Sequence, residues 1–287
     1  MEAHPLADIR AWSSLLPWSP LTSASLPMGV PQDLQCRKGV TIRTSYGSVT
    51  SQRVCVRPGH DVIADNIAAK GKWHDCTKLV HQWETSSEWW SQRSVFVELG
   101  ANVGACTIQM LMMTNATILA FEPNPANLFY LCSSLVQMPR ELQSRVYVFP
   151  YGVGDRAAHL TLWQQQGNAG ASQLENPTFG GTRHVVSVVR LDDAFPNGLP
   201  GVRLVKLDVQ GFECRALRGM ESMLRRSRPQ IISEADEGLL NHANCSTRRL
   251  FSWLEARNYS LRKFPTAPRQ AHNSIDFLAT PSGIAEN

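Results

Sequence analysis

Residues 95–104 read Val-Phe-Val-Glu-Leu-Gly-Ala-Asn-Val-Gly, an apolar run that ends in a turn containing two glycines. A second apolar run follows and ends at Glu122, which lies 22 positions after Gly100. This spacing is typical of a βαβ unit in which glycines let the backbone approach a nucleoside and an acid binds its ribose hydroxyls. The turn lacks the third glycine of the G-x-G-x-x-G pattern found in diphosphate-binding sites.

Strand and helix patterns alternate from residue 94 onward. The alternation predicts an α/β fold with a doubly wound, mostly parallel sheet of seven strands, preceded by an N-terminal hairpin and helix extension. The predicted main strands are 95–99, 117–121, 145–149, 204–207 and 230–233, with closing strands at 259–263 and 274–279. The predicted helices between them are 104–113, 125–136, 212–226 and 247–257.

Two regions lie outside this alternation. Short strands are expected at 159–163 and 185–189, joined by a loop with four glycines that is long enough to move over a site. Upstream, a hairpin is expected over 40–56 and helices over 61–70 and 77–91. We therefore divide the chain into a flexible arm (1–37), an extension packed on the core (38–93) and a ligand-binding domain (94–287).

The composition excludes several classes of protein. The 287 residues carry a net charge of only +4 and no long Lys/Arg block, so no nucleic-acid surface is indicated. No apolar stretch reaches the about 18 residues of a spanning helix, so no membrane partner is expected. The first ten residues do not resemble a secretory signal, which favours a cytoplasmic location. The oligomeric state is not predicted.

The seven cysteines include no C-x-x-C pair, so no metal site is expected. Cys106, Cys132 and Cys214 fall in predicted helices and are interpreted as small buried hydrophobic residues, which favours a reducing compartment. N-x-[ST] tripeptides begin at Asn115 and Asn258, and also at Asn244. Such tripeptides arise easily by chance and do not change this interpretation.

Six segments in this order resemble the FkbM family of S-adenosylmethionine-dependent methyltransferases, over residues from about 54 to 279. They are FVELGANVG (96–104), FEPNPAN (121–127), RLDDAF (190–195), KLDVQGFE (206–213), LRGM (217–220) and PQIISE (229–234). The resemblance implies a class I, Rossmann-like methyltransferase with an antiparallel last strand and S-adenosylmethionine as cofactor. It also implies O-methylation of a small molecule, sugar or glycan. The family more often has Glu where this chain has Gln210, and often Asp where it has Glu98.

Each predicted strand delivers a carboxylate to the rim where ligands bind in such sheets. A positively charged sulfonium and amine, together with ribose and adenine donors, would match this set, which supports S-adenosylmethionine. The five residues are Glu98, Glu122, Asp155, Asp208 and Glu234.

The candidate cofactor-binding residues have distinct expected roles. Gly100, Asn102 and Gly104 form the turn, with glycines that allow close backbone approach. Glu122, followed by Pro123, is expected to bind both ribose hydroxyls. Glu98 would orient the turn or meet the cofactor amine. Asp155 would accept from the adenine amino group or simply stabilise a turn.

Asp208 and Glu234 are the candidate catalytic residues, because a hydroxyl nucleophile usually needs a base. His184 and His242 are weaker candidates, and Asp192 and Asp193 are expected to cap the following turn. Two alternatives remain open: a nicotinamide-dependent oxidoreductase on a similar sheet, and a catalytically inactive binding module, which the Gln210 position allows. The missing third glycine argues against the first, and intact Gly100, Gly104 and Glu122 argue against the second.

Overall fold

A computed structural model describes most of the chain from residue 35 onward. The described residues are 35–43, 49–56, 66, 74–86, 89, 94–165, 168–175, 177, 179–264 and 274–283. Most of the predicted arm, residues 1–34, and nearly all of the predicted helix at 61–70 lie outside the described residues.

The N-terminal extension contains the predicted hairpin and one helix. Strands β1 and β2 pair antiparallel, and the Cys55 backbone N–H donates to the Ser134 hydroxyl at 2.8 Å. The helix begins three residues earlier than predicted and buries Leu79, Val80 and Trp83. The bounds are Gln35–Arg43 for β1, Val49–Val56 for β2 and His74–Glu84 for α1.

The first half of the main sheet follows the predicted βαβ pattern. The second helix begins at Pro125, which suits the first helical turn because proline has no N–H to leave unpaired. The elements are β3 (Val95–Leu99), α2 (Ala105–Met113), β4 (Thr117–Phe121), α3 (Pro125–Leu135), α4 (Arg140–Gln143) and β5 (Val146–Phe149).

A second, four-stranded sheet follows where a glycine-rich loop is predicted. Its middle strand β7 pairs antiparallel with both β8 and β9. The loop prediction is wrong because Gly170 and Gly181 lie in paired strands, and a Cβ on Gly181 would lie 2.0 Å from the Gln164 carbonyl oxygen. The elements are β6 (Gly152–Val153), β7 (Ala158–Gln165), β8 (Asn168–Leu174), β9 (Gly181–Val189) and α5 (Leu191–Ala194).

The second half completes the main sheet and corrects two predictions. The helix predicted over 212–226 is broken at Met220, where Gly219 lies so close to the Gly154 carbonyl oxygen that a Cβ would be 1.9 Å from it. The strand predicted to end at Glu234 continues to Asp236. The elements are β10 (Val202–Leu207), α6 (Glu213–Gly219), α7 (Glu221–Ser227), β11 (Gln230–Asp236), α8 (Glu237–His242), α9 (Thr247–Glu255), β12 (Tyr259–Lys263) and β13 (Ser274–Pro281).

The seven-stranded sheet has the order β12-β13-β11-β10-β3-β4-β5. β13 runs antiparallel to both of its neighbours, and the other adjacent pairs are parallel. The predictions of a doubly wound, mostly parallel sheet and of an antiparallel last strand are therefore confirmed. Within the described part of the chain, no helix has the length and apolar character needed to cross a bilayer.

Alternate residues of β3 face two different hydrophobic cores, as expected for a sheet covered by helices on both sides. Val97 and Leu99 pack with Leu217 of α6 and Leu254 of α9. Phe96 packs on the other face, in a core that includes Trp83 of α1, Ile108 of α2 and Leu131 of α3. The extension thus shares a core with the main sheet.

Disulfide bonds join elements that are distant in sequence. Cys76 of α1 is bonded to Cys106 of α2, and Cys214 of α6 to Cys245 before α9, with Cα–Cα distances of 4.8 and 6.4 Å. Cys55 is also disulfide-bonded. The interpretation of Cys106 and Cys214 as plain buried hydrophobic residues is wrong, because the winding of the chain brings distant cysteines together. For Cys132, which is buried with a free thiol, it is confirmed.

Candidate active site

The turn after β3 is held against two neighbouring strands. The backbone N–H groups of Gly100 and Ala101 both donate to the Phe121 carbonyl oxygen at 3.0 Å. Gly100 has φ +85°, and a Cβ there would lie 1.9 Å from the carbonyl oxygen of Asp208. Glycine is therefore required at this position because the turn touches the end of β10, and not because a side chain would enter the ligand space.

Gly104 lies beside α3 and does not line the cavity described below. It also has a positive φ, +86°, and it is the N-cap residue of α2. A Cβ there would lie 2.3 Å from Leu131 Cδ1 in α3. The glycine allows α2 and α3 to pack closely.

Glu122 ties the turn to the start of α3. Its Oε2 accepts from the Asn102 backbone N–H at 2.7 Å, and its Oε1 accepts from the Asn124 backbone N–H at 2.8 Å and the Asn127 side-chain amide at 3.3 Å. A carboxylate has about four acceptor positions, so these contacts leave roughly one, on Oε2, for a ligand hydroxyl. Burial raises the pKa of Glu122, and the three hydrogen bonds oppose that shift.

A cavity of about 590 Å³ lies in front of the turn and the ends of β4 and β10. It brings together five of the predicted site residues: Gly100, Asn102, Glu122, Pro123 and Asp208. Its remaining wall comes from residues that sequence reasoning missed, chiefly apolar and small side chains of the four-stranded sheet. They include Leu162, Gly170, Ser172 and Leu174 of that sheet, together with Tyr151 and Asn127. Gln210, which the sequence analysis singled out, also lines the cavity.

Glu98 and Asp155 do not line this cavity. Glu98 is 1% exposed behind the turn, where the Thr107 hydroxyl donates to it at 2.5 Å. Burial raises the pKa of Glu98 to about 7, although the nearby Lys206 ammonium lowers it in part. Asp155 instead pairs with the Arg218 guanidinium at 2.9 Å on the protein surface.

Lys206 is the charged centre of the site and was missed by the sequence reasoning. Its ammonium lies 3.1 Å from Asp208 Oδ2, 3.3 Å from the Gly100 carbonyl oxygen and 3.7 Å from Glu98 Oε1. A lysine between Val205 and Leu207 in a buried strand was the available signal, because an ammonium is rarely buried without an anionic partner.

Asp208 is held in its ionised form. Burial pushes its pKa upward, but Lys206 and the Gln210 side-chain amide, which donates to Oδ1 at 2.8 Å, outweigh burial and lower it below the usual value. Gln210 stands where the family more often has Glu. Here its neutral amide supplies a hydrogen bond, whereas a second carboxylate would repel Asp208.

Glu213 shapes the loop that follows Asp208. Its Oε1 accepts from the backbone N–H groups of Val209 at 3.1 Å and Gly211 at 3.2 Å. Burial raises the pKa of Glu213 to about 8, against the effect of these hydrogen bonds. Oε2 is buried without a hydrogen-bond partner among the described residues.

A second cavity, of about 370 Å³, begins on the other side of Asp208. It is lined by Glu234, whose carboxylate accepts from the Ser274 hydroxyl. The two candidate catalytic carboxylates therefore face one space. The complete lining is Lys78, Leu79, Lys206, Leu207, Asp208, Ile232, Ser233, Glu234 and Asp276.

The weaker candidates lie elsewhere. His184 and His242 line neither cavity. Asp192 caps α7 and not the turn that follows it, since its carboxylate accepts from the backbone N–H groups of Ser222 and Met223. No group of three or more His, Cys, Asp or Glu side chains is placed to hold a metal ion within the described ranges.

Residues 98–261, more than half of the chain, match the family model described as the methyltransferase FkbM domain. The chain is similar to the solved structure of methyltransferase FkbM from Methylobacillus flagellatus KT, with 15% identity, a TM-score of 0.47 and coverage of 76% of this chain and 60% of that chain. It is also similar to an S-adenosylmethionine-dependent O-methyltransferase from Thermotoga maritima, with 12% identity, a TM-score of 0.43 and coverage of 87% and 80%.

A third solved structure, a candidate methyltransferase from Streptococcus mutans in complex with S-adenosylhomocysteine, has 8% identity, a TM-score of 0.41 and coverage of 69% and 96%. No curated protein is similar enough to be recognised as a relative. The family assignment therefore depends on the match to the family model.

Proposed function

The chain belongs to the FkbM methyltransferase family, and from that premise we propose that it methylates a hydroxyl oxygen of a small molecule, sugar or glycan, using S-adenosylmethionine. The observation that carries the proposal is the cavity that joins the glycine turn, Glu122 and Asp208. Its mostly apolar wall with a few convergent polar groups is typical of small-molecule and cofactor sites.

The residues of this cavity fit the cofactor chemically. Glu122 keeps an acceptor position on Oε2 for a ribose hydroxyl, and Gly100 and Asn102 of the turn line the cavity beside it. Tyr151, Leu162 and Leu174 offer apolar surface for a planar base. S-adenosylmethionine supplies a methyl group already activated by a positively charged sulfur. An ionised Asp208 would favour binding of this cation.

Asp208 and Glu234 would act on the acceptor. Because its pKa is lowered, Asp208 is ionised at neutral pH and is ready to accept a hydrogen bond from the acceptor hydroxyl. The same low pKa makes it a weak base, so its main contribution is to orient the hydroxyl and then hold its proton at a carboxylate oxygen. Glu234 faces the same space and is the second candidate for that proton.

Calorimetry on the purified protein separates this function from the alternatives. We expect S-adenosylhomocysteine to bind in the micromolar range, about −8 kcal/mol, and NAD to give no heat. Binding of NAD alone would favour an oxidoreductase. Binding of S-adenosylhomocysteine without turnover on any acceptor would favour an inactive binding module. Folded protein that binds neither would contradict the proposal.

The disulfides also bear on the compartment. We propose an oxidising compartment in place of the cytoplasm, because disulfides such as Cys76–Cys106 and Cys214–Cys245 persist mainly in oxidising surroundings. Alkylation of the protein from its natural source, followed by peptide mass spectrometry, is expected to leave both pairs unlabelled before reduction. Labelling of all four cysteines without a reductant would instead favour a reducing compartment.

A further inference from the structure

The turn between α9 and β12 exposes Asn258 to solvent, and we propose that Asn258 carries an N-linked glycan. It begins the tripeptide Asn258-Tyr259-Ser260, which has the acceptor pattern for transfer of an oligosaccharide to an asparagine amide. The inference goes beyond methyl transfer, but it rests on the oxidising compartment proposed above, because such glycans are found on surface loops of secreted proteins.

The other two tripeptides of this pattern have explanations within the fold. The Asn115 side-chain oxygen accepts from the Trp83 indole N–H at 3.2 Å, and the hydroxyl residue of that tripeptide, Thr117, is buried in β4. In the Asn244 tripeptide, Ser246 is the N-cap of α9, and its hydroxyl accepts from a backbone N–H of that helix at 3.2 Å. Packing and helix capping therefore account for the hydroxyl residue of each.

The Asn258 tripeptide is accessible at both of its recognition residues. Asn258 has φ +59°, a left-handed conformation that favours asparagine or glycine after a helix, so the asparagine alone carries no functional signal. Ser260 is exposed in β12, where its hydroxyl donates to the Thr280 carbonyl oxygen at 3.2 Å and keeps its own acceptor lone pairs open. The exposed asparagine and the exposed hydroxyl together are the signal, and both remain accessible in the folded chain.

The backbone at Asn258 is held firmly, whereas its side chain is not engaged. The backbone N–H donates to the Glu255 carbonyl oxygen at 2.9 Å, and the backbone carbonyl oxygen accepts from the Arg228 guanidinium at 2.7 Å and the Ser282 N–H at 2.8 Å. Among the described residues, the side-chain amide has no hydrogen-bond partner. A sugar on the amide nitrogen would therefore break no contact of the fold.

Asn258 lies at the opposite end of the sheet from the cavities. The cavities lie at the carboxyl ends of the parallel strands. Strands β11 and β12 both pair antiparallel with β13, so β12 runs parallel to β11 and begins at the amino end of the sheet. Asn258 immediately precedes β12, and a glycan there would leave the proposed donor site open.

The same position gives the glycan a protective role. β12 is the last strand in the order of the seven-stranded sheet, so it has a partner strand on one side only within the described ranges. Edge strands invite pairing with other chains, and natural proteins hinder this with charges or with cover. Arg262 and Lys263 supply charge in β12, and a bulky, solvated glycan would cover the start of the strand.

The reaction is a glycosyl transfer to nitrogen. The Asn258 amide nitrogen bonds to the anomeric carbon of an oligosaccharide that is carried on a polyprenyl diphosphate. The bond between that carbon and the diphosphate oxygen breaks, the diphosphate leaves with the electron pair, and the amide nitrogen loses one proton. No oxidant or reductant is needed.

Occupancy is measured on the full chain from its natural source. Peptide-N-glycosidase in water labelled with heavy oxygen converts a glycosylated asparagine into labelled aspartate, which peptide mass spectrometry locates. We expect label at Asn258 and none at Asn115 or Asn244. Label at either of these in place of Asn258 would overturn the assignment. An unlabelled Asn258 in protein with intact disulfides would overturn the glycan but not the oxidising compartment, and an unlabelled Asn258 with free cysteines would overturn both.

Two substitutions at Ser260 test the tripeptide without changing Asn258. The full chain and both variants are expressed in eukaryotic cells behind a cleavable secretory leader, and the change in gel mobility on glycosidase treatment detects the glycan. Ser260→Ala should lose this change and Ser260→Thr should keep it, because the hydroxyl is part of the acceptor pattern. The melting temperature verifies that each variant folds. No mobility change in the wild type, a change that survives in Ser260→Ala, or its loss in folded Ser260→Thr would each overturn the proposal.

Discussion

Replacement of Glu122 by alanine tests whether one carboxylate serves both the ligand and the glycine turn. Glu122 accepts from the backbone N–H groups of Asn102 at 2.7 Å and Asn124 at 2.8 Å. Alanine leaves both groups without this acceptor, at a cost of about 1–3 kcal/mol each. We therefore expect the free energy of unfolding to fall by about 2–6 kcal/mol, which a typical domain can tolerate at room temperature.

The same substitution removes the contact to the ribose. A hydrogen bond to a charged group contributes about 1.5–3 kcal/mol, so the dissociation constant of S-adenosylhomocysteine should rise about 10- to 150-fold. Glu122→Gln is the matched variant. Its side-chain carbonyl can still accept from one of the two backbone N–H groups, but its amide nitrogen cannot accept from the other. It should be intermediate in both measurements.

Urea denaturation and calorimetry, both performed at 25 °C, measure the two effects separately. An unchanged dissociation constant in a destabilised Glu122→Ala variant would show that the carboxylate only supports the turn. If stability and affinity are both unchanged, the hydrogen bonds to Asn102 and Asn124 have no energetic importance and the reasoning fails.

Four further predictions concern the turn, the catalytic carboxylates, the loop after β10 and the disulfides. Gly100→Ala should abolish binding of S-adenosylhomocysteine in calorimetry, because a Cβ would lie 1.9 Å from the Asp208 carbonyl oxygen; retained affinity would contradict this contact. Asp208→Asn should keep the fold and most donor affinity but lower the turnover rate about 10²–10⁴-fold, and Glu234→Gln is the comparison. If Glu234→Gln is inactive and Asp208→Asn is active, the roles of the two carboxylates are exchanged. If both variants are active, neither carboxylate is a base and alignment of the substrates alone carries the catalysis. The raised pKa of Glu213 means that the folded state holds its proton more strongly, so stability is lost as pH rises from 4.5 to about 8. Glu213→Gln should therefore gain stability relative to wild type between pH 5.5 and 8.5 in urea titrations, and parallel pH curves would refute this. Loss of the Cys76–Cys106 disulfide, whose cysteines are 30 residues apart, should cost about 3.6 kcal/mol, seen as a lower melting temperature of the Cys76→Ala/Cys106→Ala double variant; if dithiothreitol lowers the melting temperature of wild type and double variant by the same amount, the bond does not form in solution.

The main sheet could be predicted because its signals are local. Residues 95–99 and 117–121 are apolar runs of strand length, and each precedes a helical pattern, so the elements and their parallel order follow from short windows. The rim position of Asp208 also follows from this order, since parallel strands deliver their last residues to the same edge. Both predictions depended on neighbours in sequence.

The features that were missed depend on distant contacts. The strand at Asn168–Leu174 contains small and polar residues, and its conformation is set by pairing with β7. The break at Met220 reflects the approach of Gly219 to Gly154, which lies 65 positions earlier. The partners of Cys76 and Cys214 follow from the winding of the chain. No local pattern could have shown any of these contacts.

We expect the cluster of Glu98, Lys206 and Asp208 to couple proton exchange to ligand binding. Lys206 lies between the two carboxylates, and the pKa of Glu98 is about 7, so at neutral pH a substantial fraction of the molecules carry a protonated Glu98. A cation that enters the cavity beside Asp208 favours the ionised form of Glu98, and a proton is then released. The heat of binding would consequently include the ionisation enthalpy of the buffer, and affinity for a cationic donor would increase with pH around neutrality more than affinity for its neutral product.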